Sequence, residues 1–160
     1  FTIPPDGAIR ERFPGDQRCN RLLIYGLEGE LFFGASAALE SHFQQIEQRI
    51  DEHTRAVVLR LKRARNADAA GMILLKEFVD RVQARGVHVL LCGVRPDLAH
   101  RMETTGLSVS IRTPIFREEK VPLTSTIMAI RHAYQLIGDP CASCPRRDSG
   151  EGNPSLRYVF

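Results

Sequence analysis

Between positions 62 and 68 the chain reads Lys62, Arg63, Ala64, Arg65, Asn66, Ala67, Asp68. An apolar run precedes this segment and an amphipathic one follows it, so a strand would deliver three cations to the amino end of a helix. There, exposed backbone N–H groups and the helix dipole both favour an anion. In outline that is a site for an anionic ligand or an acidic partner. A plainer reading stands beside it and is the commoner fate of such residues: Asp68 caps the helix, and Lys62, Arg63 and Arg65 are solvated loop charges. Arg95, at the end of the next apolar run, joins the group if the two loops are neighbours, and otherwise lies in water.

Other reactive residue types are arranged less suggestively. Cys141 and Cys144 form a CxxC, but a redox pair needs a helix amino terminus to lower a thiol pKa, and structural zinc needs two further ligands at suitable spacing. Neither accompanies them, so they read as incidental thiols of a tail. His42, His53, His88, His100 and His132 form no HExxH and no helical i, i+4 pair, and none stands beside an obvious nucleophile. Gly71 and Gly93 belong to neither a GxGxxG nor a GxxxxGK[ST] motif. No pair of carboxylates stands out for acid and base work; Glu118 and Glu119 precede the last helix, where they would favour its dipole. Serine hydrolase, kinase and metalloenzyme chemistry is therefore unsupported, and no cofactor or metal is expected. The enzymatic rival is a nucleotide hydrolase built on the basic loop, which turnover by the purified domain would reveal.

The elements that must position these residues follow from hydrophobic spacing. Residues 22–27 are apolar and strand-like, and 31–33 follow after the Glu28-Gly29-Glu30 break, as a strand pair or one bent strand. Leu39, Phe43, Ile46 and Ile50 then share one helical face, with Ser36 available as a cap. Residues 56–61 form a buried strand, 71–84 a helix ended by Gly86, 87–92 a strand in which Cys92 is a small core residue, and 96–103 a short helix closed by Gly106. Residues 109–111 read as a weak final strand, and 122–138 as a last helix with Leu123, Ile127, Ile130, Tyr134 and Ile137 on one face. Strand and helix alternate about four times, which calls for an α/β fold: a mainly parallel sheet with right-handed crossover helices and ligands at the carboxyl ends of its strands. Residues 1–20 read as an N-terminal arm or linker, 21–138 as the domain, and 139–160 as a flexible C-terminal tail rich in Pro, Gly and charge.

At 160 residues the chain is one domain long, and with 43% hydrophobic and 26% charged residues it can bury a full core without disulfides. Four cysteines are too sparse for a disulfide framework, which points to a reducing, cytosolic setting. A net charge of +3 gives no overall positive field, so nucleic acid is not an expected partner. The longest apolar stretch, residues 87–94, is far short of a bilayer span. The first residue is Phe, so the chain is expected to be a segment of a longer polypeptide.

Three segments in order, LIYGLEGELFFGAS at 23–36, VVLRLKRARNADAAGMILLKEF at 57–78 and GVHVLLCGVRPDLAHRMETTGL at 86–107, resemble the STAS domain. Bacterial anti-sigma factor antagonists share this fold with the cytoplasmic carboxyl-terminal domains of SulP-type sulfate and anion transporters. The acidic-glycine turn and the Leu-Phe-Phe run before the first helix resemble the transporter-linked branch. In that family the loop before the second helix commonly reads Asp-Ser-Ser-Gly, and antagonists are phosphorylated on a serine there. This chain has Asp68, Ala69, Ala70 and Gly71. Alanine has no hydroxyl to accept a phosphoryl group, so the charge-based switch of the antagonists is absent from the expectation, while Asp68 and Gly71 keep cap and packing roles. Arg60, Lys62 and Arg63 stand where the family often has acidic or neutral residues, making the loop more basic than its relatives.

The resemblance thus implies a non-enzymatic regulatory and interaction domain of a SulP-like sulfate or other anion transporter. Its setting would be the cytoplasmic face of the inner (plasma) membrane, the domain itself being soluble and part of an integral membrane protein. Its partners would be the membrane portion of the same transporter and a cytosolic protein, with a nucleotide or simple anion as candidate ligand. The contact surface is expected at Lys62, Arg63, Arg65, Asn66, Asp68, Gly71 and Arg95. The alternative is a stand-alone antagonist-like regulator lacking the usual phosphorylatable serine.

Overall fold

The computed structural model describes residues 1–2, 8–16, 19–119, 124–138 and 157–158. In chain order the elements are β1 (Ala8–Ile9), β2 (Leu22–Gly26), β3 (Gly29–Glu30), α1 (Ser36–Glu47), β4 (Ala56–Arg60), β5 (Ala64–Arg65), α2 (Ala69–Ala84), β6 (His88–Val94), α3 (Pro96–Thr104), α4 (Leu107–Ser110), β7 (Phe116–Arg117), α5 (Thr124–Ile137) and β8 (Arg157–Tyr158). Four strands form the main sheet in the order β2-β4-β6-β7, all parallel. The expected α/β architecture is therefore present. Because the order is sequential, no reversal opens a crevice within the sheet, and the loops at the strands' carboxyl ends are left to form any site there.

Side-chain alternation along the strands builds two cores. Val57, Leu59, Val89 and Leu91 point to one face and pack with α1, α2, α3 and Leu107 of α4, while Leu22, Ile24, Ala56, Val58, Leu90 and Cys92 point to the other and meet Ala129, Ile130 and Ala133 of α5. Burial on both faces is why β4 and β6 read as unbroken apolar runs. Phe43 of α1 stacks on Phe78 of α2 with ring centroids 4.5 Å apart, and Arg85 donates to the carbonyls of Glu47, at the end of α1, and Ile50, in the turn beyond it.

Ile9, in the segment expected to be an arm, is fully buried in the second core, and β1 pairs in parallel with β8 from the segment expected to be a tail. Residues 139–156, including Cys141 and Cys144, lie outside the described residues, as does Leu123.

The structure corrects the sequence at four points. Residues 107–110 are helix, not strand: Gly106 sits at φ +76 and restarts a turn, after which Leu107 and Ile111 face the core while Val109 is 87% exposed. The alternating apolar residues imitated a strand. Residues 31–33 form no strand; the chain bends after β2, lays β3 beside β5 and enters a 3-10 turn at Phe33–Ala35. Ala35, not Ser36, occupies the N-cap of α1, without a side-chain cap bond, and the helix ends at Glu47, so Ile50 is buried from beyond its end. Glu118 pairs with Lys62 at 3.0 Å instead of serving the last helix.

Cys92 is the core residue its strand predicts. Its thiol is buried against Thr126 Oγ1 at 3.8 Å, and desolvation pushes its pKa up to about 11. An unfolded chain ionises a thiol near pH 8.5, so the native state gains from keeping it neutral below that pH and loses the gain as pH rises to about 11, by roughly 2 to 3 kcal/mol. Urea unfolding from pH 8 to pH 11 should therefore show the stability advantage of the unaltered chain over Cys92→Ala shrinking as the pH climbs.

Candidate functional site

The basic loop leaves β4 and reaches α2 by a path that the acidic turn after β2 holds in place. Leu27 N donates to Arg60 O, Gly29 N to Arg63 O and Leu31 N to Arg65 O, so the chain after β2 runs beside the loop as a short parallel ladder. Side chains follow the same pairing: Arg63 meets Glu28 at 2.8 Å, and Asn66, in the left-handed region at φ +48, donates to Glu30 at 3.2 Å.

The amino end of α2 is seated on Leu31. Asp68 N donates to Leu31 O at 2.8 Å, and the Asp68 carboxylate accepts from Gly71 N at 2.9 Å, as an N-cap should. A Cβ on Gly71 would lie 2.2 Å from Leu31 O, so only glycine allows this approach. Ala69 and Ala70 open the helix beside it, one exposed and one half-buried.

Arg95 joins the corner in a specific way. Its guanidinium donates to the carbonyls of Ala64 at 2.7 Å and Lys62 at 3.3 Å and pairs with Asp97, whose carboxyl it holds below its ordinary pKa. The two loops are neighbours, and Arg95 ties them together through backbone acceptors. Gly93, at φ +67, presses against Lys62, where a Cβ would come within 3.0 Å of its backbone nitrogen.

All seven residues singled out in the sequence thus meet at one corner, but their charge is largely answered from within. Lys62 faces Glu118, Arg63 faces Glu28 and Arg95 faces Asp97; among the described residues Arg65 is the one of these four cations without a carboxylate at ion-pair distance. The carboxylates were the part the sequence did not assign. Glu28 and Glu30 read only as a break between strands, although an acidic turn of matching length opposite a basic loop was the available signal. Chemically the corner is a capped helix end ringed by surface ion pairs, Arg63–Glu28 exposed and Lys62–Glu118 and Arg95–Asp97 each with one half-buried member, each pair worth roughly 0 to 1 kcal/mol.

Among the described residues no group of His, Cys, Asp and Glu is placed to hold a metal ion, and no helix is long and apolar enough to cross a membrane.

Comparison with known proteins bears on the fold and this corner together. A search of curated proteins finds no match. Solved structures similar to this chain include a sulfate transporter family protein from Wolinella succinogenes, 25% identical with a TM-score of 0.56, the match covering 74% of this chain and 88% of that one. They also include the STAS domain of a SulP transporter from Vibrio cholerae, 24% identical with a TM-score of 0.49, covering 77% and 90%. The family model for the STAS domain matches residues 14–121, from ahead of β2 to beyond β7 and through the whole α2 corner, and on that match the chain belongs to the STAS domain family.

Proposed function

We propose that this STAS domain is a non-enzymatic regulatory and interaction domain on the cytosolic side of a SulP-like sulfate or other anion transporter, and that it contacts its partner through the corner at the amino end of α2. The observation that carries the reading is the likeness to the Wolinella sulfate transporter family protein, which extends over 88% of that chain. Two features of the corner support the manner of action. Ala69 and Ala70 supply no hydroxyl to a kinase, so regulation proceeds by contact instead of by phosphorylation there. Lys62, Arg63 and Arg95 already face carboxylates, which favours a protein surface able to re-pair several charges at once over a lone sulfate or nucleotide that must compete with them. The membrane portion of the same transporter is the first such partner, and a cytosolic protein the second.

Immunoblotting of membrane and soluble fractions from the source cells with an antibody against the domain tests the placement. The expected result is a membrane-associated polypeptide far longer than these 160 residues. A soluble band of this length would overturn the reading in favour of a free-standing regulator of the antagonist type.

A further inference from the structure

The α2 corner stands at the carboxyl ends of the sheet strands, and the amino ends carry a different pattern of charge. There the turn from α1 to β4 is held by two guanidiniums. Arg85, the C-cap of α2, donates to Glu47 O at 3.1 Å and Ile50 O at 2.6 Å, and Arg55, ahead of β4, donates to Glu52 O at 2.8 Å and Thr54 O at 3.2 Å. Arg49 is exposed within the turn. Arg112 is exposed near the end of α2, its N–H bonded at 2.8 Å to the side chain of Gln83.

Carbonyl oxygens carry no formal charge, so these bonds fix the guanidiniums without cancelling them. Among the described residues none of Arg49, Arg55, Arg85 and Arg112 has a carboxylate at ion-pair distance, whereas Lys62, Arg63 and Arg95 at the corner each have one. Most acidic groups nearby are held by other partners: Glu47 by Arg81 at 2.8 Å, Asp80 by Lys76 at 2.6 Å, and Asp51 by Thr54 Oγ1 and the N–H groups of His53 and Thr54. Glu52 lies 3.5 Å from His53. Even with Asp51 and Glu52 set against them, these arginines leave this end positive, in a chain whose net charge is +3. Val109, 87% exposed, stands close by on α4, ahead of Arg112.

We propose that the amino end of the sheet docks an acidic segment of a partner protein, whose Asp and Glu side chains pair with Arg49, Arg55 and Arg112 while an apolar side chain covers Val109. An anionic lipid surface would need charge alone. Here every one of these cations is arginine, whose planar fork matches a carboxylate through two bonds, and Arg55 and Arg85 are already fixed, so little side-chain freedom is lost on binding. A protein interface also centres on apolar contact, which the exposed Val109 offers. The face lies at the opposite end of the sheet from the α2 corner, so a partner held here leaves that corner free, and the proposal goes beyond the role given to the corner.

The probe is poly-L-glutamate, titrated into the full 160-residue chain at low and high salt. It should bind, lose at least tenfold in affinity at high salt, and slow hydrogen exchange at residues 48–55 and 109–112. Arg49→Glu with Arg112→Glu should weaken binding at least tenfold. Arg101→Glu with Arg131→Glu, an equal change of net charge at exposed positions of α3 and α5, should weaken it by less than about threefold. A copolymer of glutamate and leucine should bind more tightly than poly-L-glutamate, and Val109→Ser should remove that gain. No binding, equal loss with the two pairs of substitutions, protection confined to the α2 corner, or a copolymer gain untouched by Val109→Ser would each overturn the proposal. Tighter binding, per negative charge, to phosphatidylglycerol vesicles than to either polymer would overturn it in favour of a membrane surface.

Discussion

Gly71→Val is expected to cost more than about 3 kcal/mol and to abolish the α2 corner as a defined surface. The added carbon falls 2.2 Å from the Leu31 carbonyl oxygen and 2.5 Å from its carbon, which are backbone atoms that no rotamer change can move aside. Shifting Leu31 would break its bonds with Asp68 N and Arg65 O; shifting α2 would instead pull its helix out of the first core. Either way the Asp68 cap is lost. Gly71→Ala places the same carbon and should cost nearly as much. Gly86 provides the contrast: it holds φ +77 with open space around its Cβ position, so Gly86→Ala should cost only about 1 kcal/mol of left-handed strain. Urea denaturation of the three variants separates the two causes. A Gly71→Ala chain no less stable than the Gly86→Ala chain would show that the helix does not sit on Leu31.

Phe78→Ala should be comparably severe, at roughly 3 to 5 kcal/mol, because it deletes a fully buried ring and leaves Phe43 without its stacking partner. For a chain of this size that corresponds to a fall in Tm of about 10 °C or more. The loss falls on the contact between α1 and α2, so hydrogen exchange should quicken at the inner turns of both helices before it does in α5, which packs on the opposite face of the sheet. Uniform acceleration across α1, α2 and α5 would mean that the two cores unfold as one unit and that the faces are not energetically distinct.

Periodicity and turn chemistry made the main framework legible. The apolar runs at 56–60 and 88–94 are buried on both faces and so could only be central parallel strands, and Leu39, Phe43 and Ile46 could share a buried face only on a helix. Asp68 at the start of an amphipathic run is an N-cap wherever such a run folds as a helix. Short elements were less legible. Residues 107–111 carry an alternation of apolar side chains that suits a strand and a four-residue spacing that suits a helix, and the left-handed Gly106 decided between them.

Local pattern specifies which residues form strands and helices here, because backbone period and side-chain polarity are read within one turn or one pleat. It does not specify what meets across the sheet. That Glu28 and Glu118 answer Arg63 and Lys62, and that Gly71 must be bare to clear Leu31, are contacts between segments remote in sequence. The charges of the loop were visible as residues, but their neutralisation depends on distances of about 3 Å, and only the packing of the parallel strands brings those partners to one corner.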